Sequence, residues 1–248
     1  MKDKLLSLIS LNIEKEKHLD LVRKFFVNSK PDVICLQEVF ESDFVNLKKE
    51  LAMEGLFCPM AIIERTYDRS FEKIGVAILS KLKIVSSDCK YYRGNKDILR
   101  YESGQSLDKR YKMIFAVLAK IKVVFDGKEF NIFSTHFTWT PDGLANDTQR
   151  KDVAQLLDIL SKEKSFVLCG DFNAPRGGEI FAKIAEKYKD NIPPEYESSI
   201  DPDLHRKPGL RLMVDGLFST PDYIAEHVKL VCGVSDHCAI KAKISLKN

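Results

Sequence analysis

The chain has 248 residues, 44% of them apolar, and its 39 Lys and Arg stand against 36 Asp and Glu for a formal charge of +3. That composition excludes a disordered tail and a small disulfide scaffold, and a balance so near neutral demands neither a nucleic-acid nor a membrane partner, although it leaves room for a local basic patch. No internal repeat, low-complexity tract or Gly/Ser linker marks a second unit, so one domain over residues 1–248 is expected.

The start, MKDKLLSLISLNI, has the charged tip and short apolar stretch of a signal peptide, but no small-residue cleavage site follows and the stretch runs into Asn12-Ile13-Glu14. It reads instead as a first strand over 5–13. HLDLVRKFF (18–26) carries Leu19, Val22 and Phe26 at helical spacing, and DVICLQEV (32–39) behind Pro31 reads as a buried strand. A helix at about 41–53 precedes strands at 57–63, 75–79 and 84–92, with Gly75 at a crowded strand start. Apolar runs at 113–125 and 129–137 flank Asp126-Gly127, the pattern of a β-hairpin. Val153, Leu156, Leu157 and Leu160 predict a helix over 147–162. A buried strand (166–172), a helix (178–189) and strands at 212–219, 227–232 and 237–245 follow, and so many late strands with few helices between them favour mixed sheets. No apolar segment reaches the roughly 18 residues that span a bilayer. The six cysteines (35, 58, 89, 169, 232, 238) form no C-x-x-C pair and lack zinc-ligand spacing, which predicts reduced, buried thiols in a soluble, cytoplasmic protein.

The informative polar residues stand at the ends of apolar runs. Asn12 and Glu14 close the first, Gln37 and Glu38 the second, Thr135-His136 the hairpin, and Asp171 and Asn173 follow FVLCG, while Asp215 lies within LMVDGLF and Asp236-His237 precede the last run. Side chains leaving a sheet at one edge can meet at one site. Carboxylates and amide oxygens suit Mg²⁺ or Mn²⁺, no H-E-x-x-H or thiolate set suggests zinc, and adjacent histidines can serve a phosphoryl oxygen. The inventory points to metal-assisted phosphoryl hydrolysis.

The series L-N-I-E (11–14), Q-E-V (37–39), G-V-A-I-L-S (75–80), T-H-F (135–137), G-D-F-N (170–173), V-D-G-L-F (214–218) and S-D-H (235–237) resembles the endonuclease/exonuclease/phosphatase superfamily, also called DNase-I-like, in the family's order. Each piece alone reads as a turn or strand end; their joint order carries the resemblance. It implies a four-layered α/β sandwich, two packed mixed β-sheets flanked by helices, with the active site at one end. It also implies roles: Glu38 as principal metal ligand, Asn12 as an amide organising metal and phosphate, Glu14 where several nucleases carry Asp, and Asp236 at the metal site. By the same resemblance Asp171 orients and deprotonates the attacking water, Asn173 positions it, His237 contacts the phosphate with Asp215 as its partner, and His136 contacts the scissile phosphate. His136 is typical of the phosphodiesterase and phosphatase branches.

The expected activity is therefore hydrolysis of a phosphodiester or phosphomonoester, on a small molecule or a nucleic acid, with no obligate protein partner. Two rivals stand beside it: a nuclease or DNA-end-processing enzyme, and a non-catalytic module that keeps the fold. The first draws on residues 81–112, where nine Lys and Arg against four acids give a local +5, leave −2 elsewhere, and interleave with Tyr91, Tyr92, Tyr101 and Tyr111. A solvated face over packed strand tyrosines is the favoured reading of that segment. His18, His205 and His227 read as surface residues, and Trp139 as packing in preference to lining the mouth of the site.

Overall fold

In the computed structural model, which describes residues 4–247, strands and helices alternate as the apolar periodicity predicts. They run β1 (Leu6–Asn12), α1 (Leu19–Ser29), β2 (Val33–Phe40), α2 (Glu41–Glu50), β3 (Glu54–Glu64), β4 (Phe71–Ser80), β5 (Ile84–Arg93), α3 (Leu107–Met113), β6 (Ala116–Phe125) and β7 (Lys128–His136). The chain continues with α4 (Asp147–Ser161), β8 (Val167–Asp171), α5 (Glu179–Ala185), β9 (Lys189–Asp190), β10 (Asp215–Ser219), β11 (Tyr223–Val231) and β12 (Ala239–Leu246). The charged tip at residues 1–3 lies outside the described residues.

The strands form two six-stranded mixed sheets, ordered β11-β12-β1-β2-β4-β3 and β5-β6-β7-β8-β10-β9. Each holds one parallel pair near its centre, β1 with β2 and β7 with β8, among antiparallel neighbours. The central strands are buried on both faces, which is why they read as continuous apolar runs. Leu8, Val33 and Ile78 meet Val117, Ile132 and Leu217 between the sheets. Ile9, Leu11 and Leu36 face Val22 and Phe26 of α1 and Phe44 and Leu47 of α2. Phe133 and Phe218 face Leu156 and Leu160 of α4 and Ile180 and Phe181 of α5. Helices, sheet, sheet and helices are the four layers expected. At Asp126-Gly127 both residues take the left-handed conformation (φ 50° and 77°) that a tight hairpin turn needs.

The differences have physical causes. The short helix α3 lies inside the basic segment, so the strand expected from 113 starts at Ala116, and Gly94, packed against the Phe115 ring, marks where the chain leaves β5. The helix expected over 178–189 ends at Ala185, and its tail becomes the edge strand β9 paired with β10. The cysteines need the largest correction. Only Cys35 and Cys169 are free and buried, whereas Cys58 bonds to Cys89 and Cys232 to Cys238. Cys58 and Cys89 lie on β3 and β5, edge strands of different sheets, so their bond staples the two sheets along one margin; a pairing made by sheet packing leaves no spacing signature. Among the described residues no helix is long and apolar enough to cross a membrane.

Candidate active site

The polar strand ends converge because of strand direction. Parallel pairing sets Asn12 opposite Gln37 and His136 opposite Asp171, so these four C-terminal residues share one end of the sandwich. β10 and β12 run antiparallel to their neighbours and deliver their N-terminal ends there: Asp215 opposite Asp171, and the 235–237 loop beside β1. Two irregularities aim the carboxylates. Glu38 has φ 53° within a bulge between Leu36 and Val39, the device by which a strand redirects a side chain. Gly170, at φ 147°, lets β8 lie against β7 where a Cβ would come within 1.9 Å of the Thr135 carbonyl oxygen, and Asp171 follows directly.

Asn12 is the hub. Its Nδ2 donates to Asp171 Oδ2 at 3.0 Å and reaches Glu38 Oε1 at 3.4 Å, while its Oδ1 accepts the Glu14 N–H at 3.0 Å. His136 Nε2 lies 3.6 Å from Glu38 Oε1 and 3.5 Å from Asp171 Oδ2. His237 Nδ1 donates to Asp215 Oδ2 at 2.7 Å, and its Nε2 stands 3.8 Å from Asp171 Oδ2. Asp171 also accepts the Asn173 N–H at 2.7 Å, and Asn173 Nδ2 donates to the Phe137 carbonyl at 3.0 Å. Asp215 is fixed from behind, since its own N–H and that of Val214 donate to Ser199 Oγ. These eight expected site residues sit together, and the ninth, Asp236, lines the same pocket as Glu14, Glu38, Asp171 and His237.

Burial opposes charge on His237, yet the Asp215 and Asp171 carboxylates overcome it and raise its pKa well above the ordinary value. His136 is raised likewise, by the Asp171 hydrogen bond and the Glu38 charge against burial. Both shifts favour the protonated imidazole, most strongly at His237. Burial works against Asp171 too, but the two imidazolium groups and the Asn173 N–H hold its carboxyl at about 2. Asp236 behaves oppositely: burial, with the Glu14 and Glu38 charges, pushes it up to about 7 in spite of His237.

These donors fit a hard divalent cation. Burial disfavours ionised Glu38, but the His136 and Lys15 charges prevail and lower its pKa, its side chain is 26% exposed, and Asn12 and Asp236 lie alongside. A cation would also relieve the repulsion that raises Asp236. Asp171, Asp215 and His237 bring ligand atoms within 4.8 Å of one another as well. There His237 Nδ1 is already bonded to Asp215 Oδ2 at 2.7 Å, so this cluster holds a hydrogen-bonded carboxylate–imidazole pair.

A family model described as Endonuclease/Exonuclease/phosphatase family matches residues 9–237. The chain belongs to this family. Drosophila melanogaster Nocturnin is 28% identical over 185 residues, 71% of this chain and 26% of that protein, so the chain spans about a quarter of this relative's length. The fold matches the crystal structure of the endonuclease/exonuclease/phosphatase from Bacteroides vulgatus (TM-score 0.73, 17% identity, 99% of this chain and 100% of that one). It also matches the human Nocturnin catalytic domain with bound sulfate anion (TM-score 0.70, 17% identity, 98% and 94%).

On this family fold, the surroundings of the centre depart from the sequence reading. Glu14 lines the pocket, but its carboxylate is engaged by Lys17 and by His18 Nε2 at 3.1 Å, so His18 is held to a pocket-lining carboxylate and is not a free surface group. The 201–212 segment lines the same pocket through His205 and Lys207, the latter held to Asp142 at 3.1 Å. Trp139 lines the mouth, with Arg110 over its ring at 5.0 Å. Sequence reasoning missed Asp201, whose buried carboxylate accepts the Gly233 N–H and whose N–H donates to the Asp236 carbonyl, fixing the 235–237 loop. It also missed the purpose of Gln149, whose buried amide donates to the Thr138 and Asn173 carbonyls and sets the Asn173 turn. The basic segment is no single face. Arg93 is internal, donating to Asp152, Thr138 and the Ile114 carbonyl; Lys90 pairs with Asp88 and Arg100 with Glu102. Tyr92 and Tyr101 are buried, and Arg110 alone of the segment's cations lines the pocket.

Proposed function

We propose that this family member is a Mg²⁺- or Mn²⁺-dependent hydrolase of phosphate esters, a phosphodiesterase or phosphatase, in which an activated water attacks phosphorus directly. The observation that carries it is the centre itself: Asp171 held by Asn12, His136, His237 and the Asn173 N–H, with Glu38 ionised at 3.6 Å from His136. Such an arrangement complements a reaction in which negative charge grows on the non-bridging oxygens as water adds in line.

Glu38, with Asn12 and Asp236, would hold the metal, which supplies charge stabilisation at a phosphoryl oxygen and makes water more acidic. Asp171 orients the water and accepts its proton as the oxygen bonds to phosphorus, its carboxylate kept ionised by His237 and His136. His136 and His237 present N–H donors to the phosphoryl oxygens, and Asp215 keeps His237 protonated on Nδ1. Asn173 positions the water beside Asp171.

With Arg93 internal and Lys90 and Arg100 paired to acids of the same segment, the feature that favoured a nucleic-acid substrate is weakened, and a non-catalytic module has no use for so complete a centre. The catalytic unit is taken as one domain. Its assignment to the cytoplasm drew in part on six reduced thiols, and four paired cysteines remove that part of the ground. The reading is tested by turnover of a phosphate-ester panel with Mg²⁺ or Mn²⁺ in ¹⁸O-labelled water. One label per turnover in the phosphate product is expected; label in the alcohol would place the attack on carbon and reject it.

A further inference from the structure

Five lysine and arginine side chains line the cavity of about 260 Å³ over the centre, and they are not equivalent. Lys17 pairs with Glu14 and Lys207 with Asp142, so their charge is already spent within the protein. Lys15 sits on the metal-ligand side, where its backbone N–H donates to the Glu38 carbonyl and its charge acts on the Glu38 carboxylate. Arg110 differs from all of these. Among the described residues it forms no ion pair; its guanidinium lies over the Trp139 ring at 5.0 Å and the Tyr101 ring at 5.8 Å. Two aromatic faces fix its plane and leave its N–H edge free for an oxyanion, the setting in which guanidinium binds phosphate or carboxylate in two-point fashion.

Position settles which oxyanion. His136 and His237 already serve the reacting phosphoryl group, and Arg110, with its guanidinium over Trp139, makes no ion pair with Glu38 or Asp171 among the described residues. It comes from α3 at the rim, beside Trp139, while the 201–212 segment supplies another part of the wall with Arg206, exposed and likewise without an ion pair among the described residues. The Lys207–Asp142 bridge ties that segment to the turn after β7, and Gly143 in this turn packs against Pro175 with Leu212 nearby. The result is a walled basin of small-molecule size, near the roughly 300 Å³ lower end of such sites, and not an open trough for a polymer.

We propose that Arg110 is a specificity-determining residue that binds a second anionic group, so that the substrate is a small phosphate ester bearing a further phosphate or carboxylate away from the scissile one. This rests on the hydrolase reading above. Arg206 adds longer-range attraction for the same group. Trp139 and Tyr101 position the guanidinium.

The test uses α,ω-alkanediol monophosphates and the matching bisphosphates of two to six carbons, with the Mg²⁺-loaded full chain. For at least one length, kcat/KM for the bisphosphate is expected to exceed that for the monophosphate by about tenfold or more, the scale of one charge-assisted contact. Arg110→Gln should collapse that preference at least about tenfold, mainly through KM, and Arg110→Lys should restore part of it. Trp139→Leu should weaken the preference without removing it. An equal loss on both ester types in Arg110→Gln would assign the guanidinium to the scissile phosphate and overturn the proposal, as would a wild-type enzyme indifferent to the second phosphate. Should neither ester turn over, the hydrolase reading fails by itself. Calorimetric binding of the same pair then still reads the subsite: tighter bisphosphate binding that Arg110→Gln abolishes supports it, and equal binding refutes it.

Discussion

Gly170→Ala is the substitution whose cost follows most directly from the backbone. In the β7–β8 pairing Gly170 stands opposite Thr135, one row before His136 opposite Asp171. The added Cβ would come 1.9 Å from the Thr135 oxygen and 3.0 Å from its carbonyl carbon, whereas real Cβ contacts essentially never fall below 3.0 Å, so the strands must part by about 1.1 Å at that row. Parting them disturbs one or two ladder hydrogen bonds at about 1 kcal/mol each. Holding alanine at φ 147° adds about 1–3 kcal/mol of backbone strain. The total, about 2–5 kcal/mol, is a large part of the roughly 5–15 kcal/mol that holds a domain folded. Urea unfolding followed by circular dichroism should show that loss with an unchanged slope, and any folded fraction should hydrolyse esters at least about a hundredfold more slowly because Asp171 and His136 move together. A change below about 1 kcal/mol would refute the close-approach argument.

Thiol reduction should cost about 2 kcal/mol for the short Cys232–Cys238 loop and about 4 kcal/mol for Cys58–Cys89 if chain entropy governs, measured as the shift in urea midpoint with and without dithiothreitol. Because Cys232 and Cys238 bracket Asp236 and His237, Cys232→Ser is expected to lower kcat as well, whereas Cys89→Ser should alter stability alone. Glu38→Gln should raise the Mg²⁺ concentration for half-maximal activity at least about tenfold, read from a metal titration at saturating ester; an unchanged titration would remove Glu38 from the metal. The His237–Asp215 pair sets a pH signature. Its folded pKa lies above the unfolded value, so its stabilisation is complete below pH 6.5 and declines as pH rises through the folded pKa. Thermal melting of metal-free protein should therefore lose stability on the alkaline side, and Asp215→Asn should flatten that decline.

What the sequence made legible was set by local rules. Continuous apolar runs with Asn12, Glu38, Asp171 and Asp215 at or near one end announce doubly buried strands whose polar groups can gather at one edge of the sheets. The Asp126-Gly127 hairpin and the α4 spacing are equally local. The illegible parts depend on packing between distant elements. Nothing near Arg93 in sequence shows that Asp152 and Thr138 would surround it, so it counted as surface charge in a patch that does not exist as one face. Cys58 and Cys89 meet because two sheet margins meet. Likewise Glu14 belongs to Lys17 and His18 once the first turn after β1 closes, which weakens its expected place at the metal.

Asp171 joins the two sheets' contributions, and its conversion to Asn is the most direct measurement of the account. The substitution keeps the shape and the Asn173 N–H contact but removes the charge that His136, His237 and the water require. With Mg²⁺ at saturation, Asp171→Asn should fold normally and lower kcat on the best ester of the panel at least about a thousandfold, the upper end of what a single transition-state contact supplies. A variant that turns over within about tenfold of the parent would contradict hydrolysis at this centre.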